Sequence, residues 1–188
     1  MKLQRRFAPT GGEFAPESVA RFIGIRKNIE SAQKRLSKLE SLFPNQTWYG
    51  LNSLKSEILL ANGYPDEAIA VFCEATLPTI PGRENTGSTI EYNFPFSKDI
   101  LARAFMKKGE FDKAIAEYEK LTNFYQNSKD RRLVYPKHHY NLAKLYEQKG
   151  WIGKAIEHYE KFLDIWKDAD SGIPEIEDAK NRLISLKS

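Results

Sequence analysis

A stretch of twelve residues occurs twice with little change: GEFDKAIAEYEK starts at Gly109 and GWIGKAIEHYEK at Gly150. The shared Gly-x-x-x-Lys-Ala-Ile-x-x-Tyr-Glu-Lys pattern implies that one packing problem is solved twice. Aligning on it uncovers a third, shorter copy, Gly63-Tyr64-Pro65-Asp66-Glu67-Ala68-Ile69. A segment with helical periodicity precedes each glycine (LNSLKSEILLAN, SKDILARAFMKK, HHYNLAKLYEQK), and another follows it (PDEAIAVFCEAT, FDKAIAEYEKLTNFY, IGKAIEHYEKFLDIW). Each unit therefore reads as helix, glycine turn, helix.

Residue sizes give this unit its logic. Ala68, Ala114 and Ala155 stand at equivalent places early in the second helix. A small side chain there lets two helices approach to about 8–10 Å. One turn later come Phe72, Tyr118 and Tyr159 on the same face. Before the turn stand Leu59, Phe105 and Tyr146, placed to meet the small residues. The turn glycine suits the left-handed backbone that often ends a helix.

On these residues the sequence resembles the tetratricopeptide repeat family, whose unit of about 34 residues sets large and small side chains at fixed offsets across two antiparallel helices. Leu142, Ala143, Tyr146, Gly150, Ala155 and Tyr159 fit that pattern, as do Leu101, Ala102, Phe105, Gly109, Ala114 and Tyr118. In the first copy Lys55 and Ser56 depart from it, while Gly63, Ala68 and Phe72 conform. The glycines are 46 and 41 residues apart, so insertions near 77–95 and 127–135 lengthen the units. The resemblance implies an all-α solenoid of about three repeats over 47–169, with helical caps. It also fits the C-terminal repeat region of a larger bacterial signalling-type protein.

Residues 1–15 read as a flexible segment and 16–44 as one long helix, with Pro16 at its start and Pro44 at its stop. Its apolar stripe, Phe22, Ile25, Ile29, Ala32, Leu36, Leu39 and Phe43, has heptad spacing. The stripe suits either pairing between two chains through Phe22–Phe43 or packing on the first repeat of its own chain. A preceding helix would cover the open end of a solenoid, which favours the second. At the other end, Ile176, Ala179, Leu183 and Leu186 give residues 174–187 an apolar face suited to a closing cap. Eight helices are expected in all.

The search for reactive chemistry is negative. Gly82 to Thr89 has the glycine spacing of a phosphate loop, but Ser88 stands where the lysine belongs and no strand precedes it. His138 and His139 are adjacent, so they point about 100° apart on a helix and make a poor two-ligand face. His158 lies on another helix with no acidic cluster beside it. Cys73 reads as a small buried hydrophobe; a lone cysteine also excludes an internal disulfide. No catalytic residue, metal site or cofactor is expected. Without an apolar run of about 18 residues or a secretory signal, a cytoplasmic location is expected and membrane insertion is not. The net charge of +4 is concentrated in residues 1–42, which carry +5. A solvated helix face accounts for that better than a nucleic-acid site does.

The resemblance implies a concave wall built from the first helix of each pair. By alignment its lining comprises Ser53 and Glu57, then Phe96, Asp99, Arg103 and Lys107, then Lys137, Tyr140 and Lys144. Some family members grip a peptide carboxylate with Lys and Asn where Ser53 and Glu57 stand, so that mode is not expected here. Arg103, Lys107 and Lys144 suit a protein or peptide with an acidic segment, and Phe96 and Tyr140 would supply apolar anchors. The expected function is a non-catalytic interaction scaffold, with homodimerisation through the leading helix as the alternative.

Overall fold

The computed structural model describes residues 28–45, 47, 49–75, 98–123, 135–169 and 172–188. Eight α-helices and no strand occur among them: α1 (Ile29–Leu42), α2 (Tyr49–Ala61), α3 (Pro65–Cys73), α4 (Ile100–Lys108), α5 (Phe111–Thr122), α6 (Pro136–Gln148), α7 (Ile152–Ile165) and α8 (Pro174–Lys187). The expected leading segment before residue 28, the phosphate-loop lookalike and Phe96 lie outside the described residues.

Local chemistry sets the helix ends. Asn28 starts α1 by accepting the Ser31 N–H on its side-chain oxygen at 2.9 Å. Proline opens α3, α6 and α8, where its missing N–H has no helical partner to lose. Gly63, Gly109 and Gly150 have φ of +89°, +75° and +76°, which side chains rarely tolerate. The N–H after each glycine bonds the carbonyl five residues back: Tyr64 to Leu59, Glu110 to Phe105, Trp151 to Tyr146. That 6→1 bond satisfies an otherwise orphaned helix carbonyl. The recurrent glycine is thus a backbone requirement at each turn.

Helices pack mainly on their neighbours in chain order, and α2 also meets α4. The apolar interior follows this stack as separate clusters. Ala32, Leu54 and Ile58 pack with Ile29 and Leu36 between α1 and α2. Leu60, Ala68 and Ala104 join α2, α3 and α4, with Leu59 alongside. The largest cluster runs from Ala102 through Tyr118, Tyr146 and Phe162 to Ala179. Ala68, Ala114 and Ala155 are 0% exposed. Within the described part of the leading stripe, Ile29, Ala32 and Leu36 are therefore used within the chain. Leu39, Leu42 and Phe43 stay exposed.

Polar ties keep the stack in register. Lys108 pairs with Asp66 at 2.5 Å and Lys149 with Asp112 at 2.7 Å. In each, a lysine before the turn glycine reaches an aspartate three residues after the previous one. Solvent around the exposed aspartates screens each pair, so they guide alignment more than they stabilise. Gly153 takes the aspartate's place in the third pair. Buried tyrosines tie helices more firmly. The Tyr146 hydroxyl donates to Glu119 at 2.5 Å and that of Tyr159 to Glu147 at 2.8 Å, while Tyr118 accepts from Asn141 at 3.1 Å. Each ring fills the core and its hydroxyl finds a partner, which phenylalanine could not provide. Arg182 of α8 grips both Glu147 oxygens at 3.1 and 3.0 Å, so α8 occupies the place of a further first helix.

One position breaks the polar bookkeeping. Ser56 is 0% exposed, and its hydroxyl makes no hydrogen bond among the described residues. The equivalent residues are Ala102 and Ala143. Burying an unpaired hydroxyl costs about 1–3 kcal/mol, so Ser56→Ala should stabilise the chain by about 1 kcal/mol. Thermal unfolding should show a midpoint about 2–4 °C higher; a lower midpoint would mean that the hydroxyl has a partner. Cys73, expected to be buried, is instead exposed. It closes a nine-residue helix whose only buried residue is Ala68.

Candidate functional site

The first helices α2, α4 and α6 carry the side chains expected to line a groove. Several of them turn inward. Ser53 is 0% exposed and donates its hydroxyl to the Tyr49 carbonyl at 2.6 Å, so it offers a ligand nothing. Glu57 and Asp99 are 3% and 5% exposed, and both bind Arg103. The Arg103 Nε–Asp99 distance is 3.0 Å, and the second guanidinium nitrogen bonds Glu57 across the α2–α4 contact. Burial opposes the charge on Arg103, but Asp99 and Glu57 outweigh it and raise the guanidinium pKa above its ordinary value. These three residues form an internal ion triad. Alignment with a repeat pattern places such residues on a face; it does not reveal that complementary charges occupy neighbouring helices.

The remaining positions divide into two places. Lys107 lies beside the triad and donates to the Leu60 carbonyl at 2.7 Å while staying exposed. In α6, Lys137 pairs with Glu175 at 2.6 Å and sits 5.9 Å from the Trp166 ring centre. Tyr140, 8% exposed, donates to Asp178 at 2.7 Å, so α8 covers the anchor expected to face a ligand. Lys144 is exposed, its ammonium 5.4 Å from the centre of the Tyr140 ring. Phe96 lies outside the described residues.

A cleft of ≈ 160 Å³ opens between α1, α2 and α4. Ile29, Ile58 and Leu60 line it together with Glu57, Arg103 and Lys107. Small-molecule sites usually span about 300–1,000 Å³, so this one suits a single side chain better than a cofactor. Sequence reasoning missed Ile29 and Ile58 as lining residues. The heptad stripe contains Ile29, but only the docking of α1 shows which end of that stripe borders the cleft.

At the α6–α7 contact, His139 and His158 face each other with their Nδ1 atoms 3.0 Å apart. Burial first, then the neighbouring His158, pushes the His139 pKa down to about 4. Burial and then Lys161 lower that of His158. Glu157, Glu119 and Lys154 are the other charges around the pair, with His138 next to it in α6. A histidine held neutral in the fold but free to protonate near pH 6.5 when unfolded favours the unfolded chain in acid. Stability from this pair is complete above about pH 6.5 and falls as the pH drops toward 4. Urea midpoints in buffer containing a chelator should decline over that range, less steeply in His139→Gln. Equal slopes in the two proteins would remove the assignment.

Stacked helix pairs joined by glycine turns, with ties between successive first helices, define a helical-repeat scaffold. Residues 99–128 and 138–165 match the family model for the tetratricopeptide repeat. Such repeats generally mediate protein–protein interaction and are typically non-catalytic. No curated protein and no solved structure matches the chain. No helix among the described residues is long and apolar enough to cross a membrane.

Proposed function

We propose that this chain is a non-catalytic scaffold that holds a peptide or protein segment bearing acidic side chains against its first helices. The observation that carries this reading is the α1–α2–α4 cleft, where an apolar lining adjoins Lys107, an exposed residue whose ammonium donates to the Leu60 carbonyl. An apolar anchor in the cleft would supply affinity, and an adjacent acidic residue would meet Lys107. Lys144, exposed on α6, offers a second positive point. Arg103 belongs to the wall of this site but is already neutralised by Glu57 and Asp99.

A peptide array that varies charge and apolar anchors independently tests this reading. Acidic peptides with an apolar anchor should bind, and Lys107→Glu combined with Lys144→Glu should weaken them about tenfold without unfolding the protein. Binding that ignores charge would overturn the acidic specificity, and an array with no binder would overturn the groove.

Self-assembly is the second reading, favoured by Leu39, Leu42 and Phe43, which are 37%, 60% and 42% exposed at the end of α1. Sedimentation over a range of concentrations separates the two. An unchanging monomer removes self-assembly.

A further inference from the structure

We propose that His139 and His158 form a two-nitrogen chelate for a divalent d-block ion of square or octahedral preference, nickel(II) or copper(II). The rings come from α6 and α7, the two antiparallel helices of one repeat. Their centroids are 5.1 Å apart and their planes are tilted by 45°. In the first repeat the equivalent residues are Asn52 and Val71, where the Asn52 amide donates to the Val71 carbonyl at 2.9 Å. A helix-to-helix tie therefore needs only one donor and one acceptor here. Two imidazoles exceed that need, because each can also present a nitrogen lone pair to a metal.

The separation selects the ion. With a metal–nitrogen bond of about 2.05 Å, nitrogens 3.0 Å apart subtend about 94° at the ion. That is close to the right angle of square or octahedral coordination, which nickel(II) and copper(II) favour with nitrogen ligands. A tetrahedral zinc ion would need the nitrogens about 3.3 Å apart. His139 is buried and His158 half-buried, so the ion enters past His158. With the rings in place, both carry their proton on Nε2, which leaves each Nδ1 lone pair to the ion, and water fills the remaining positions. Nearby charges are largely balanced. Lys161 pairs with Glu157 at 2.6 Å, and Lys154 lies 4.0 Å from Glu119. Among the described residues no group of three or more His, Cys, Asp or Glu could hold a metal, so this is a two-ligand site.

The test uses tag-free protein carrying Cys73→Ser, which removes the exposed thiol as a competing ligand. Nickel(II) should raise the thermal midpoint saturably, by about 5 °C once the free ion exceeds Kd a hundredfold. His139→Gln and His158→Gln should each abolish the rise. His138→Gln should keep it, because that ring packs against Tyr118 and Tyr135. Absence of a saturable rise, or its survival in either of the first two variants, overturns the proposal. A measurement on unmutated histidines guards against variants that fail to fold. The chain has three histidines, and paramagnetic nickel should broaden the ring-proton resonances of two of them at low occupancy. Uniform broadening of all three, or none, also overturns it.

Discussion

Arg103→Met should lower the unfolding free energy by about 3 kcal/mol, the largest single loss expected from a surface-facing position in this chain. The side chain is 23% exposed, but the carboxylates it serves are not: those of Glu57 and Asp99 are 3% and 7% exposed. Removing the guanidinium strands two buried negative charges near one another, and their loss of pairing dominates the cost. Denaturant unfolding should show the loss. Adding Glu57→Gln and Asp99→Asn should recover most of it, because neutral side chains carry no such penalty. If Arg103→Met costs less than about 1 kcal/mol, water screens the triad and it is no structural clamp. The same reasoning makes Arg103 a poor choice for probing a binding face, since its reversal would damage the α2–α4 contact before any ligand was involved.

Ala155→Leu should cost about 1–3 kcal/mol. Ala155 is 0% exposed and belongs to the large cluster with Tyr146 and Tyr159. Three extra carbons there must push α7 away from α6 or force a side chain off its rotamer. Ala116, exposed on α5, is the matched control. Ala116→Leu adds the same atoms and should change stability by less than about 0.5 kcal/mol. Thermal unfolding of both variants gives the comparison. Equal effects would mean that the small-residue positions do not set the helix spacing.

Much of the fold was legible because it rests on local rules that repeat. Gly63, Gly109 and Gly150 mark positive-φ turns, and any helical stretch on either side must then fold back antiparallel. The alanines at a constant offset after them are buried, as their size requires. The closing helix was readable from its apolar face, which meets the last repeat through Ala179. The candidate site was far less legible. Ser53, Glu57, Asp99 and Tyr140 sit on the expected helices, yet they point into contacts with their own chain. Periodicity says which residues share a face. It does not say whether another helix lies against that face.

Cys73 and the histidine pair make the same distinction. Cys73 has an apolar neighbour in Phe72, but α3 is short and buries only Ala68, so the thiol stays at the surface. His139 and His158 are 19 residues apart, and their spacing matches no motif. Only the antiparallel docking of α6 on α7 brings their rings together.

The amino-acid sequence alone settled the helices, their turns and the order of stacking, because glycine conformation, proline at helix starts and the alternation of small with large residues act over short range. Tertiary structure decided which charged groups are buried together, that α8 covers Tyr140, and where a cleft remains between α1, α2 and α4. Those outcomes depend on distances between residues far apart in the chain, and such distances exist only once the helices have packed.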